Sequence, residues 1–242
     1  MFKRIVGLVL VDNGLVCRTR NFETDYHYTS NFIDTKYFDE ISFIDVTPSK
    51  SSQSQDLFSK LLDELMKDSQ LPVSIGGGIR GIQHVEFYRR IGADRFIINQ
   101  SDSCSDALAS ETIQEYGQSS IISSINHWGS QVWIDGSISK ITLRERIQQI
   151  SVNCGSEILV NSVELDGSLR GLDERVFETL SDFPELTFIV SGGVGRVDHI
   201  QAAFINENIE AVCTSNIYHL TTNTISQWRK TMSSFNVQVR TI

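Results

Sequence analysis

Eight short apolar runs recur along this chain, most of them rich in β-branched residues and most followed by a segment of helical periodicity. The runs fall at residues 4–10, 41–46, 73–75, 95–98, 121–125, 157–160, 187–190 and 211–213. Between them stand apolar residues at helical spacing, such as Leu57-Leu61-Leu62-Leu65, Val85 through Ile91, Leu143-Ile147-Ile150 and Val197-Ile200-Ala203-Phe204. Strands alternating with helices imply a parallel sheet, because the chain must cross back between parallel neighbours and a helix makes that crossing. A doubly wound open sheet and a closed (β/α)8 barrel both meet this condition.

An internal repeat favours the barrel. Val73-Ser74-Ile75-Gly76-Gly77-Gly78-Ile79-Arg80, followed by His84, is echoed by Ile189-Val190-Ser191-Gly192-Gly193-Val194-Gly195-Arg196, followed by His199. Each copy reads as strand, glycine turn and helix, and the next strands end in Asn99-Gln100-Ser101 and Thr214-Ser215-Asn216. The copies lie about half a chain apart, as two similar half-barrels of four units would place them. The expected fold is α/β, one (β/α)8 TIM barrel over residues 1–242, a normal length for that architecture. No polar linker or low-complexity stretch divides it.

A glycine turn lets backbone approach a ligand with no Cβ in the way, and the free N–H groups of a following helix attract phosphate. In barrels such sites lie at the C-terminal strand ends. Turn geometry alone would explain one copy, whereas two copies at half-barrel spacing point to ligand sites. The candidates are Gly77, Gly78, Asn99 and Ser101 in the first half, and Gly192, Gly193 and Ser215 in the second. Such a mouth suits one ligand with two phosphates, or one phosphate on each of two substrates.

The net charge of −9, without a basic run, argues against a nucleic-acid surface while leaving room for a local cationic pocket. No apolar run approaches the ~20 residues of a membrane-spanning helix. Met1-Phe2-Lys3-Arg4-Ile5 leads straight into a strand with no cleavable signal, so a cytoplasmic protein is expected. Cys17, Cys104, Cys154 and Cys213 lack metal-ligand spacing and read as structural thiols. No metal or organic cofactor is expected.

A series of motifs then accumulates in order along the chain. It includes Lys3-Arg4-Ile5, Asn13-Gly14, Asn21-Phe22-Glu23, Phe43-Ile44-Asp45-Val46-Thr47 and Ile75-Gly76-Gly77-Gly78-Ile79. It continues with Gly92-Ala93-Asp94-Arg95, Asn99, Gly155-Ser156-Glu157-Ile158-Leu159, Asp166-Gly167, Ser191-Gly192-Gly193 and Asn236-Val237-Gln238-Val239-Arg240. By these the chain resembles the cyclase subunit of imidazole glycerol phosphate synthase, the ammonia-using enzyme of histidine biosynthesis. A sister isomerase shares the half-barrel repeat and twin phosphate sites, but the charged ring below and the Asn-Val-x-Val-Arg ending favour the cyclase. The resemblance implies a glutaminase docked at the N-terminal face of the barrel. It also implies ammonia passing through the barrel to a two-phosphate nucleotide, with one aspartate on strand 1 and one on strand 5 as acid and base.

At those two positions this chain has Leu10 and Asn126. Leucine cannot titrate, and an amide is no practical proton shuttle. Asp12 shares a strand face with Leu10, about 7 Å further along, and is the alternative acid–base group. Asp12-Asn13-Gly14 is equally ordinary turn chemistry. The resemblance assigns Arg4, Glu40, Arg95 and Glu157 to a charged ammonia gate, with arginine for the family's lysine on strand 4. It assigns Asp94 to the glutaminase interface and Arg18, Asp45 and Asp166 to the substrate end, although Asp166-Gly167 also reads as a turn. His84 and His199 read as packing or surface residues, and His127-Trp128 departs from the family as a stacking surface. Gln100-Ser101 departs from the usual small hydroxyl pair, which makes the second-half phosphate site the firmer one.

Three functions follow. The first is a divergent subunit that docks a glutaminase and delivers ammonia to another acceptor or to a third, amidotransferase enzyme. That role is assigned to relatives in amidino-sugar and surface-polysaccharide synthesis. The second is an active cyclase using Asp12 or Asp45, and the third is a regulatory barrel that binds a phosphorylated small molecule.

Overall fold

The computed structural model describes residues 2–29, 35–100, 103–151, 155–215, 225–234 and 237–240. Among the positions singled out above, Ser101, Cys154, Asn216 and Asn236 lie outside the described residues. The chain opens with β1 (Arg4–Asp12), turns into a hairpin of β2 (Leu15–Arg20) and β3 (Glu23–Tyr28), and then enters β4 (Glu40–Asp45). It continues through α1 (Ser52–Met66), β5 (Val73–Gly76), α2 (Ile82–Arg90), β6 (Arg95–Asn99), α3 (Ser103–Tyr116) and β7 (Ile121–Trp128). A second excursion, β8 (Gln131–Ile134) and β9 (Ser137–Thr142), precedes α4 (Leu143–Ile150) and β10 (Glu157–Ser162). The last elements are α5 (Phe177–Ser181), β11 (Phe188–Ser191), α6 (Val197–Phe204), β12 (Ile209–Thr214) and α7 (Ile225–Ser234).

Eight strands pair in parallel in the order β1-β4-β5-β6-β7-β10-β11-β12, and β12 pairs back onto β1. The sheet is therefore a closed barrel, and the open-sheet alternative falls. All eight apolar runs of the sequence became its staves. Each stave is buried on both faces, which is why it reads as a continuous apolar run rather than an alternating one. Inward-facing Val6, Ile97, Ile122, Leu159, Ile189, Ala211 and Cys213 fill the barrel. Outward-facing residues such as Ile5, Phe43, Phe96, Ile121 and Phe188 pack with the helices, including Phe58 of α1 and Trp228 of α7. Each large side chain so buried contributes on the order of 2 kcal/mol of transfer free energy.

The two antiparallel excursions lie at the C-terminal ends of β1 and β7, the first strand of each half-barrel. Their turns carry positive φ at Asn13 (50°) and Gly14 (76°), at Asn21 (53°) and Phe22 (67°), and at Asp135 (47°) and Gly136 (83°). Two consecutive left-handed residues match the right-handed twist of a two-residue hairpin. The second excursion leads directly into α4, where the Thr142 hydroxyl accepts from Glu145 N and the Glu145 carboxylate accepts from Thr142 N, a reciprocal cap.

His127 closes the β7–β8 turn from the outward face, with Nδ1 donating to the Gly129 carbonyl at 2.9 Å. Burial holds its imidazole below the ordinary 6.5, although that hydrogen bond and the Asp173 carboxylate 4.0 Å away pull the other way. The unfolded chain takes up a proton near pH 6.5 that the folded chain refuses. This contribution to stability is thus complete above that pH and lost as pH falls through it. Urea unfolding should show stability declining toward pH 5.5, by at most about 1.4 kcal/mol per pH unit for one proton, with a shallower decline in His127→Gln. Parallel pH profiles for the two proteins would refute this assignment.

Candidate functional site

At the N-terminal end of the barrel, the first residues of β1, β4, β6 and β10 are Arg4, Glu40, Arg95 and Glu157. Their side chains meet in one ring. Arg4 Nη1 lies 3.2 Å from Glu40 Oε2, and Arg4 Nη2 pairs with Glu157 Oε1. Arg95 pairs with Glu40 Oε2 and with Glu157 Oε2. Each cation therefore touches both anions, and Glu40 and Glu157 are only 2% and 7% exposed. Burial works against the charge on Arg95, but the two carboxylates more than offset it and hold the guanidinium above its ordinary value. Just above the ring, a buried Ser42–Ser74 hydroxyl pair at 2.6 Å interrupts the apolar filling. Exposed Asp94 sits at the same end, where its Oδ2 accepts from Val73 N at 2.8 Å and fastens the start of β5.

Sequence reasoning missed the partner network beside this ring. Asp39 accepts from Ile5 N at 2.8 Å and pairs with buried Arg229 at 2.6 Å and with Arg240 at 3.1 Å. Arg240, the last residue of the Asn-Val-x-Val-Arg ending, is thereby tied to the bottom of the barrel. Removing one member of a buried charge group strands the others, at a cost of about 3–5 kcal/mol. Glu157→Ala should lower unfolding stability by roughly 3 kcal/mol, and the double variant Arg95→Met, Glu157→Met should recover part of that loss. Additive losses in a denaturation cycle would mean that the ring is not coupled.

The opposite end is polar but nearly uncharged on its axis side. Leu10, 7% exposed, stands where the resemblance asks for one aspartate, and Asn126 where it asks for the other. Asn126 is in register with Asn161 of β10, which is in register with Ser191 of β11. Strand alternation turns all three toward the barrel axis, in phase with Ile122, Leu159 and Ile189. Asn99 of β6, exposed, faces the same way. Asp12 is the one axis-facing carboxylate on a barrel strand at this end among the described residues, and β1 does continue as far as Asp12. It is already engaged, accepting from Asn13 Nδ2 at 2.8 Å and pairing with His27 Nε2 at 3.1 Å.

The remaining substrate-end candidates serve the rim. Arg18 of β2 pairs with Asp25 of β3 across the hairpin. Asp166 accepts from Thr19 Oγ1 at 2.7 Å and Phe22 N at 3.1 Å, which clasps the hairpin to the loop after β10. Burial nevertheless pushes the Asp166 carboxyl above its ordinary value. Asp45 is buried, and its carboxylate receives Thr47 N at 3.0 Å and Lys50 Nζ at 2.6 Å. Lys50 is a cation the sequence reading overlooked. It stands against the first glycine turn, where a Cβ on Gly78 would come within 2.9 Å of Lys50 Cε.

The two glycine turns are built alike. Gly77 and Gly192 share a φ of 98°, and a Cβ at either would come within 2.1 Å of Asp45 O or 2.5 Å of Ser162 O, the end of the neighbouring strand. Only glycine fits such an approach. In space Gly77 corresponds to Gly192, Gly78 to Gly193 and His84 to His199, one residue out from a letter-by-letter alignment. The histidines have matching local roles, since His84 Nδ1 accepts from Arg80 N at 3.3 Å and His199 Nδ1 accepts from Gly195 N at 3.1 Å. A pocket opens at the second turn, lined by Ser191, Gly192, Gly193, Thr214 and Ser215, with Asp166 at its border. In the first half Gln100 is buried instead, its carbonyl accepting from Arg146 Nε at 2.8 Å, while Arg146 pairs with Asp106 at 2.5 Å.

Trp128, two residues beyond Asn126 on the same face, stacks on Trp133 of β8 with ring centroids 5.4 Å apart and planes 28° from parallel. Cys17 and Cys213 are buried free thiols, and burial, helped by nearby Asp12, pushes Cys17 up to about 12. Cys104 is also a free thiol, exposed on the surface. No group of three metal-ligating side chains occurs among the described residues. No helix among them is long and apolar enough to cross a membrane.

These features define a (β/α)8 barrel of two related halves, with strand-end glycine turns at one end and a paired charge layer at the other. Residues 7–224 match the family described as histidine biosynthesis protein. The chain belongs to that family.

Proposed function

We propose that this family member has given up ring closure and delivers ammonia from a docked glutaminase, through the barrel, to another acceptor or amidotransferase. The observation that carries this reading is the contrast between the two ends. The charged ring is complete, with each arginine touching both glutamates. The positions for proton transfer hold Leu10 and Asn126, and neither can exchange a proton near neutral pH. The Ser42–Ser74 pair offers hydrogen bonds to a small polar molecule just above the ring. A glutaminase would dock at the ring face, where Asp94 is exposed, and a phosphorylated ligand would sit at Gly192, Gly193 and Ser215. The same reading makes this a cytoplasmic protein that needs no metal or organic cofactor.

The competing reading, an active cyclase, rests on Asp12, which faces the axis beyond Leu10. Its carboxylate would have to leave both Asn13 and His27 to act. The deciding measurement is ammonia-dependent turnover of the family's ribulosyl aminoimidazole nucleotide by the purified chain, at high ammonium and mildly alkaline pH. No turnover is expected, in the native chain or in Asp12→Asn. Turnover abolished by Asp12→Asn would establish the cyclase instead. Copurification with a coexpressed glutaminase should succeed and should weaken at least about tenfold in Asp94→Arg, the scale of one reversed interface charge. A chain that binds phosphate ligands but no glutaminase would be a regulatory barrel.

A further inference from the structure

Arg196, the cap residue of α6, supplies no side-chain hydrogen bond to its own helix, and His199 in the first turn takes over part of that task. Its Nδ1 accepts from Gly195 N at 3.1 Å, which requires an imidazole with no proton on that nitrogen. The same ring lies beneath the wall of the second-turn pocket. A Cβ on Gly171 would come within 3.5 Å of His199 Cδ2, and Gly171 N donates to Gly193 O at 2.8 Å. Gly195 in turn presses on Leu169, where a Cβ would meet Leu169 O at 2.6 Å. Leu169 lines the pocket at a φ of 59°, a left-handed conformation that a bulky residue keeps only where its surroundings impose it. One imidazole thus braces the glycine turn and the strained loop that faces it.

We propose that His199 is a pH-operated catch on the second glycine turn, closed while its imidazole is neutral and released on protonation, so that acid loosens the pocket at Gly192 and Gly193. An imidazolium carries a proton on both nitrogens and cannot accept from Gly195 N. Gly195 is buried, so its freed N–H loses one partner without gaining water. The cation would also stand at the positive end of α6, where the backbone disfavours it. The charges facing the ring are Asp198 and Arg196 from its own helix, paired with each other at 2.7 Å, and Glu174 from the turn before α5. Burial, helped by Arg196, outweighs the two carboxylates and holds the imidazole below its ordinary 6.5. The catch is therefore closed above that value and opens as pH falls below it. His84 supplies a contrast within the chain. It accepts from Arg80 N at 3.3 Å in the same way, but Arg80 is exposed and water can replace the lost bond.

The inference rests on the pocket assigned above but not on ammonia delivery or a docked glutaminase. Glutamine in the first turn of a helix also accepts from a nearby backbone N–H, and it does not titrate. His199→Gln should therefore hold the catch closed at every pH, and His199→Ala should leave it open. Inorganic sulfate, whose charge is constant over the range, is titrated into the full chain and both variants between about pH 8 and about pH 5.5. At the upper end the native chain should match His199→Gln, with His199→Ala weaker by about fivefold, the scale of one hydrogen bond. At the lower end the native chain should fall to the level of His199→Ala. Ratios between the three proteins cancel the titration of Asp166, which borders the pocket in all of them. A native-to-glutamine ratio that stays constant across the range overturns the proposal. The Gly195 amide resonance, followed by NMR of the labelled chain, should titrate in the native protein and stay fixed in His199→Gln, with less movement at Arg80. If sulfate binds none of the three, the pocket reading fails and this resonance still decides the catch. A Gly195 amide that does not titrate in the native chain refutes it.

Discussion

Two arginines and two glutamates, each the first residue of a barrel strand, share one nearly dry layer, and that layer constrains everything above it. Four charges cannot be desolvated there unless every one finds partners of opposite sign. Those partners lie on strands far apart in sequence, so the pairing can form only when the sheet has closed with β1, β4, β6 and β10 correctly spaced. Closure and charge compensation are therefore one event. Among the described residues the layer is not fully satisfied, since Glu40 Oε1 is buried with no hydrogen-bond partner there. A carboxylate oxygen held this way leaves the ring able to receive a hydrogen-bond donor.

Above the ring the two half-barrels begin alike and then diverge. Both glycine turns press against the end of the preceding strand, and both are braced by a histidine four residues beyond the backbone N–H it accepts from. In the second half the next strand ends in Thr214-Ser215, which leaves an open pocket. In the first half Gln100 turns into a network with Arg146 and Asp106, and Lys50 occupies the space beside Gly78 while paired to Asp45. The halves share a backbone plan but not the side chains that surround the glycine turns, so the two sides of the mouth differ.

How far the sequence revealed this depends on burial. The eight staves were legible because burial on both faces writes an apolar run that needs no partner to be recognised. The rim hairpins were not, although Asn13-Gly14 and Asp135-Gly136 are strong turn signals. β3 carries Glu23, Thr24, Asp25, Tyr26 and His27 with all five exposed, and a strand without a buried face has no alternation to read. Site residues divide in the same way. Leu10 and Asn126 could be placed by counting along strands, and the glycine turns by their repeat. Lys50, Asn161 and the Asp39–Arg229–Arg240 group were invisible, because each acquires its role only from residues that the fold brings beside it. Asp45, Asp166 and Arg18 show how partners supplied by the fold stay hidden in the sequence. The resemblance assigned them to the substrate end, and the structure pairs them with Lys50, Thr19 and Asp25.

The distribution of charge ties these points together. A barrel that performs proton transfer needs titratable groups on its axis at the mouth, where a ring-closing reaction would take place. Here the axis-facing charge is concentrated at the opposite end. The mouth presents Leu10, three asparagines, a serine and a tryptophan, with Asp12 bound into its own hairpin. Amides and indoles form hydrogen bonds without titrating near neutral pH, and the proposed loss of ring closure rests on that side-chain chemistry. Leu10 and Asn126 stand at the two positions where the resemblance asks for aspartates. On the axis, paired charge is thus gathered at the N-terminal end of the barrel, and the C-terminal end presents mainly neutral hydrogen-bonding groups.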